Sequence, residues 1–209
     1  MNRAPGLAKH IEQDPLRDLP LAAPSPAPWV EAAAADIDAT LADHAHCELK
    51  AASTALSMAG RFPEATALVR DLTALAHEDI RHFERVVDLV QSRGQSLPKV
   101  GPDRYVKGLR NLRLPKLPGS SALMDQLVLC GFIEARSCER FRLLARGPIP
   151  GDLRGFYAEL AGAEARHHEL FFEHARRVAG PAVAEMRIRQ VAELEAALIR
   201  DLPLASRIH

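Results

Sequence analysis

The chain has 209 residues, enough for one domain with a sizeable core, and its 27 Lys and Arg balance its 27 Asp and Glu. A formal net charge of zero excludes a global electrostatic pull toward nucleic acid or membrane, so any anionic partner must be held by a local patch. An Ala-rich composition with 5% aromatic residues and few β-branched runs points to an all-α protein.

Residues 1–27 carry Pro5, Pro15, Pro20, Pro24 and Pro26 without a sustained period and read as an extended arm. No run of 18 apolar residues occurs and the first residues lack a signal-peptide core, so a soluble cytoplasmic protein with no membrane attachment is expected. A first helix is predicted from Pro28-Trp29, since Pro suits a first turn, to about Ala59. After the turn Arg61-Phe62-Pro63-Glu64, a second helix runs with a period near 3.6 to Gly94, a helix-ending glycine. Residues 95–120 are broken by Pro98, Gly101, Pro102, Gly108, Pro115, Pro118 and Gly119 and form a long connection. A third helix spans about 120–146 and a fourth about 152–180. A fifth, about 181–201, is amphipathic through Val183, Met186, Val191, Leu194 and Leu198 and is expected outside the bundle. Residues 28–201 thus form one domain, followed by a tail over 202–209.

The chemistry lies in carboxylates placed where amphipathic helices should be apolar. Glu134 follows Leu127-Val128-Leu129 on a mostly apolar helix, and an isolated buried carboxylate is costly unless it is paired or binds metal. On the next helix Glu164 and His167 stand three apart and project from one face. The same pattern occurs upstream: Glu48 precedes the pair Asp79 and His82 by 31 positions, as Glu134 precedes Glu164 by 30. Counting back from the turns puts Glu48 at ~16 Å depth, Asp79 at ~22 Å, and Glu134 and Glu164 at ~18 Å. Six groups can therefore meet in one layer of a ferritin-like four-helix bundle, with 95–120 as its long crossover. Four carboxylates and two imidazoles suit a pair of iron or manganese ions in a mixed oxygen and nitrogen shell. Glu78, four before His82, competes with Asp79, but the three-residue spacing favours Asp79.

Other signals are weaker. His44, His46, His77, His168 and His174 are read as surface or supporting residues, and Glu139 and Glu169 as solvated positions off the ligand face. Cys47, Cys130 and Cys138 are read as reduced core thiols, with Cys138, one turn after Glu134, also placed to line a cavity. The crossover carries Lys99, Arg104, Lys107, Arg110, Arg113 and Lys116 against Asp103 alone. Arg104, Lys107 and Arg110 would share one basic face of a short helix, and phosphates held there would give salt-sensitive binding.

The blocks Asp43-His44-Ala45-His46-Cys47-Glu48, Ile80-Arg81-His82-Phe83-Glu84, Phe132-Ile133-Glu134-Ala135-Arg136-Ser137-Cys138-Glu139-Arg140-Phe141 and Glu164-Ala165-Arg166-His167-His168 carry a resemblance. Over about residues 20–200 the sequence resembles the bacterial tRNA-(2-methylthio-N6-isopentenyladenosine) hydroxylases, the MiaE family. The resemblance implies a ferritin-like, non-haem di-iron monooxygenase that hydroxylates the isopentenyl group of the modified adenosine beside the tRNA anticodon. It implies two Fe ions, dioxygen as co-substrate and an external electron donor such as a reductase or ferredoxin. By position it makes Glu48, Asp79, His82, Glu134, Glu164 and His167 the iron ligands, with Asp79 departing from the usual Glu. Arg104, Lys107, Arg110 and Arg113 are the expected contacts to anticodon-loop phosphates. The rivals are another ferritin-like di-iron hydroxylase acting on a small apolar substrate, and a ferritin-like iron-binding protein.

Overall fold

The computed structural model describes residues 16–99 and 101–209; the expected arm over Pro5 and Pro15 lies outside them. Among the described residues there are seven helices and no strand. The helix expected over 28–59 is two: α1 (Trp29–Ala35) and α2 (Ile37–Arg61). They part at Asp36, whose backbone leaves helical geometry and whose carboxylate accepts a hydrogen bond from the Ala39 amide. An Asp side chain competes better as a cap than as an interior helix residue, and that preference overrode the Ala-rich run.

α3 (Thr66–Ser92) ends at Gly94, where φ is +72°, and the Gln95 amide bonds back to the Val90 carbonyl, closing the last turn. The crossover contains a single short helix, α4 (Arg104–Arg110), capped by Asp103 accepting from the Val106 amide. α5 (Ala122–Arg146) is capped by Ser121. α6 (Gly151–Ala179) and α7 (Pro181–Asp201) follow, with Pro181 opening α7.

α2 packs chiefly on α3, and α5 on α6, giving two helical hairpins. Their closeness is set partly by Gly131: a Cβ there would lie 2.5 Å from Cε1 of the buried Phe172 ring on α6. The apolar interior falls into two main clusters. One gathers Ala52, Met58, Leu72, Leu127, Phe132 and Phe172; the other gathers Leu41, Val86, Phe141, Leu144, Leu153 and Tyr157. On α2, α3 and α6 the acids and histidines singled out above lie between these clusters, and on α5 Glu134 lies at the edge of the first, beside Ala135.

A buried ionic network ties α7 and the flanking segments to α5. Arg136 grips Glu195 of α7 with two parallel bonds, Nε to Oε1 at 2.9 Å and Nη2 to Oε2 at 2.8 Å, and reaches Glu139 at 3.2 Å. Glu139 also accepts from both the amide and the hydroxyl of Ser25. The reading of Glu139 as solvated is therefore wrong: its side chain is fully buried. It lies off the ligand face as expected, but that face of α5 meets another part of the protein instead of water. Glu169 is exposed and pairs with Arg176.

Residues 206–209 are not a loose tail. Ile208 is buried, its amide donates to Asp43 at 2.8 Å, and its carbonyl accepts from Arg140.

Candidate metal centre

Glu48 on α2 and Asp79 and His82 on α3 present ligand atoms within 4.8 Å of one another, and so do Glu134 on α5 and Glu164 and His167 on α6. All six side chains are buried. The two triads adjoin: His167 Nδ1 lies 3.5 Å from Glu164 and 3.6 Å from Asp79, so Asp79 stands at the seam between the hairpins. His82 Nδ1 lies 3.6 Å from Glu48, and the two imidazole rings face each other at 6.2 Å. The structure thus brings together all six residues that the spacing singled out. Glu78, the competitor of Asp79, turns outward to Arg166 and to the far nitrogen of His167.

The donor set fits metal ions. Asp79 Oδ2, His82 Nδ1, Glu164 Oε2 and His167 Nδ1 are buried without a hydrogen-bond partner, which is costly unless a cation sits among them. Burial and the neighbouring Glu134 and Glu48 carboxylates push the Asp79 acid up to about 9. Burial and the adjacent Glu164 hold Glu134 well above the usual carboxylate range. Burial also raises Glu48, but the hydrogen bond from His44 and the nearby His82 imidazole outweigh it and bring the group down to about 2. For His167, burial is outweighed by Glu164 and Glu78, which push the imidazole up to about 12. The raised Asp79, Glu134 and His167 favour their protonated forms, and divalent ions would displace those protons.

Partners outside the layer orient its members. His44 Nε2 bonds Glu48 Oε1 at 2.8 Å while its ring packs against both Phe141 and Tyr157. Glu78 holds His167 Nε2 at 3.1 Å, leaving Nδ1 to face the centre. His44 stands one turn before Glu48, and that spacing is a readable signal for a supporting residue.

Beside the layer opens a cavity of about 610 Å³. Glu48, Glu134 and Glu164 line it together with Ile133, Phe141 and Phe171, and Lys50, Lys107 and Arg110 also lie on its wall. Of the four cations expected to meet phosphate, Lys107 and Arg110 line this cavity. Arg104 borders a separate hollow beside Trp29 and Tyr105, and Arg113 is exposed beyond α4. Lys50, which pairs with Asp103, was not singled out, since it reaches the wall from α2 and not from the basic connection. Cys138 does not line the cavity; its thiol donates to the Ala161 carbonyl, whereas Cys47 and Cys130 do line it. All three cysteines are free thiols. No helix among the described residues is long and apolar enough to cross a membrane.

The chain is similar to known proteins over most of its length. The tRNA 2-(methylsulfanyl)-N(6)-isopentenyladenosine(37) hydroxylase of Pseudomonas putida is 38% identical over 189 residues, covering 90% of this chain and 91% of that protein. The protein of the same name from Salmonella typhimurium is 27% identical, covering 89% of this chain and 86% of its own length. Among solved structures, "Protein 43 with aldehyde deformylating oxygenase activity from Synechococcus" superposes with a TM-score of 0.83 at 33% identity, covering 90% and 94% of the two chains. A family model described as tRNA-(MS[2]IO[6]A)-hydroxylase (MiaE) matches residues 14–209. With the six-residue layer, the bundle that frames it and a match over nearly its whole length, the chain belongs to the MiaE hydroxylase family.

Proposed function

We propose that this chain hydroxylates the isopentenyl group of 2-(methylsulfanyl)-N6-isopentenyladenosine in tRNA, using two iron ions and dioxygen. The observation that carries this reading is the pair of facing triads, with four unpartnered buried atoms, beside a cavity that combines apolar walls with lysine and arginine. Glu48, Asp79 and His82 would hold one ion, and Glu134, Glu164 and His167 the other. When bound, such a centre would supply the oxidising power to place one oxygen atom of dioxygen in a C–H bond and release the other as water, with two protons and with two electrons from an external reductase or ferredoxin.

The chain does the rest. His44 and Glu78 fix the orientation of Glu48 and His167, so the ligand atoms need little reorganisation. Ile133, Phe141 and Phe171 give the prenyl group an apolar wall and keep water from the C–H bond under attack. Lys107 and Arg110 take phosphates of the anticodon loop, and exposed Arg104 and Arg113 lie on the same crossover outside the cavity. A tRNA substrate supports a cytoplasmic reaction.

A second reading has support in the structural likeness to a protein with aldehyde deformylating oxygenase activity: a small apolar aldehyde would fit the same cavity. The cations on the cavity wall favour the nucleic acid. Mass spectrometry of tRNA nucleosides from cells with and without the gene decides between them. Loss of the hydroxylated nucleoside and accumulation of its prenylated precursor supports the tRNA reading. Unchanged nucleosides, with aldehyde consumption by the purified iron-loaded protein, would replace it.

A further inference from the structure

The segment after α7 is bound to the body at every residue from 206 to 209. Ser206 Oγ donates to the Ala32 carbonyl at 2.8 Å, and the Arg207 carbonyl accepts from Trp29 Nε1 at 3.1 Å. Ile208 is buried and held at both its amide and its carbonyl. This strap delivers one side chain, His209, to the wall of the cavity described above.

There the His209 Nε2 lies 3.0 Å from the Ser137 hydroxyl, and the imidazole face stacks on Tyr105 at 5.3 Å. Tyr105 is itself fixed by hydrogen bonds to Glu195 and the Phe132 carbonyl. Ser137 also lines the cavity, one turn beyond Glu134 on the same face of α5, a rise of ~4.5 Å. That rise is comparable to the reach of a prenyl tail from the nitrogen that carries it. Burial pushes the His209 imidazole down to about 4, so the ring is neutral and offers one donor and one acceptor. A strap that served packing alone would account for Ile208 and for the bonds of residues 206 and 207. It would not account for an imidazole and hydroxyl pair set into a cavity wall beside Ile133 and Phe141.

We infer that His209, held by Ser137, is a substrate-recognition residue that hydrogen-bonds a ring nitrogen of the adenine whose prenyl tail extends past Ser137 to the metal layer. The proposal rests on the tRNA reading above. Adenine presents ring-nitrogen acceptors beside its exocyclic N–H. With the Ser137 hydroxyl donating to Nε2, the Nδ1–H of His209 is left to donate to one of them. Lys107 and Arg110 then hold the backbone of the nucleotide, His209 its base, and the apolar wall its tail.

The test uses the iron-loaded full chain and anticodon stem-loop RNAs carrying the prenylated adenosine or its 1-deaza or 7-deaza analogue. His209→Ala is expected to raise KM about tenfold, the worth of one hydrogen bond, with kcat and metal content unchanged. One deaza RNA should cost the wild type the same factor and cost His209→Ala nothing further. Ser137→Ala should move KM in the same direction, and His209→Gln should recover part of the loss. A KM unchanged in His209→Ala, or both deaza analogues costing that variant as much as the wild type, overturns the proposal. So does a loss that tracks lowered thermal stability or lost metal. Wild-type protein that leaves the prenylated RNA unhydroxylated removes the tRNA reading itself, and this inference with it.

Discussion

Each histidine or carboxylate of the centre is only as good a ligand as the group that holds its other end. Glu78 is the clearest case, since it fixes which nitrogen of His167 faces inward. Glu78→Ala should therefore weaken metal binding about 10–100-fold without removing a ligand, as measured by titration against a competing chelator. His44→Ala should act in the same direction through Glu48. Protonation gives a second prediction. Asp79 is raised to about 9 in the folded metal-free protein, against roughly 3.9 in an unfolded chain. The folded state then binds the extra proton, so the contribution of Asp79 to metal-free stability is fully present below about pH 4 and is lost as pH rises toward 9. His167, raised to about 12, loses its contribution in the same direction above its ordinary range. Denaturant melts of metal-free protein across this window check the sign, and calorimetry in two buffers should find proton release on metal loading. At this scale the sequence was informative where chemistry conflicts with pattern: a Glu in an apolar stripe is visible without coordinates. Glu139 and His209 were not legible, because burial of the first depends on Ser25 and placement of the second on the whole path of the strap.

Helix ends and close approaches decide whether those side chains meet. The long helices after residue 60 were readable from Pro, Gly and period, because those residues act locally on the backbone. The break at Asp36 was not, since a cap inside an Ala-rich run changes neither composition nor period. Gly131 tests the packing. Helix propensity alone favours Ala by about 1 kcal/mol, whereas overpacking a buried contact costs about 1–3 kcal/mol. Three atoms of the buried Phe172 ring lie within 3.0 Å of the added Cβ, so overpacking should win. Gly131→Ala is expected to lower Tm and loosen α6 against α5. The buried network carries more energy: Glu195→Ala leaves the desolvated Arg136 with Glu139 as its remaining carboxylate partner and should cost about 3–5 kcal/mol in a denaturant melt.

For the whole molecule, net neutrality and a local basic strip together set how a tRNA would be met. Lys107 and Arg110 of α4 line the cavity, so Lys107→Glu with Arg110→Glu should weaken tRNA binding and flatten its salt dependence while metal content stays the same. Two hairpins with the same ligand spacing, joined by a crossover, form a bundle whose two apolar clusters are divided by one layer of acids and histidines. The proposed hydroxylation depends on that layer holding two metal ions. Anomalous diffraction at the iron edge from crystals of the iron-loaded protein tests this most directly. Two peaks are predicted, one among Glu48, Asp79 and His82 and one among Glu134, Glu164 and His167; no peak there, or iron bound only elsewhere, would contradict it.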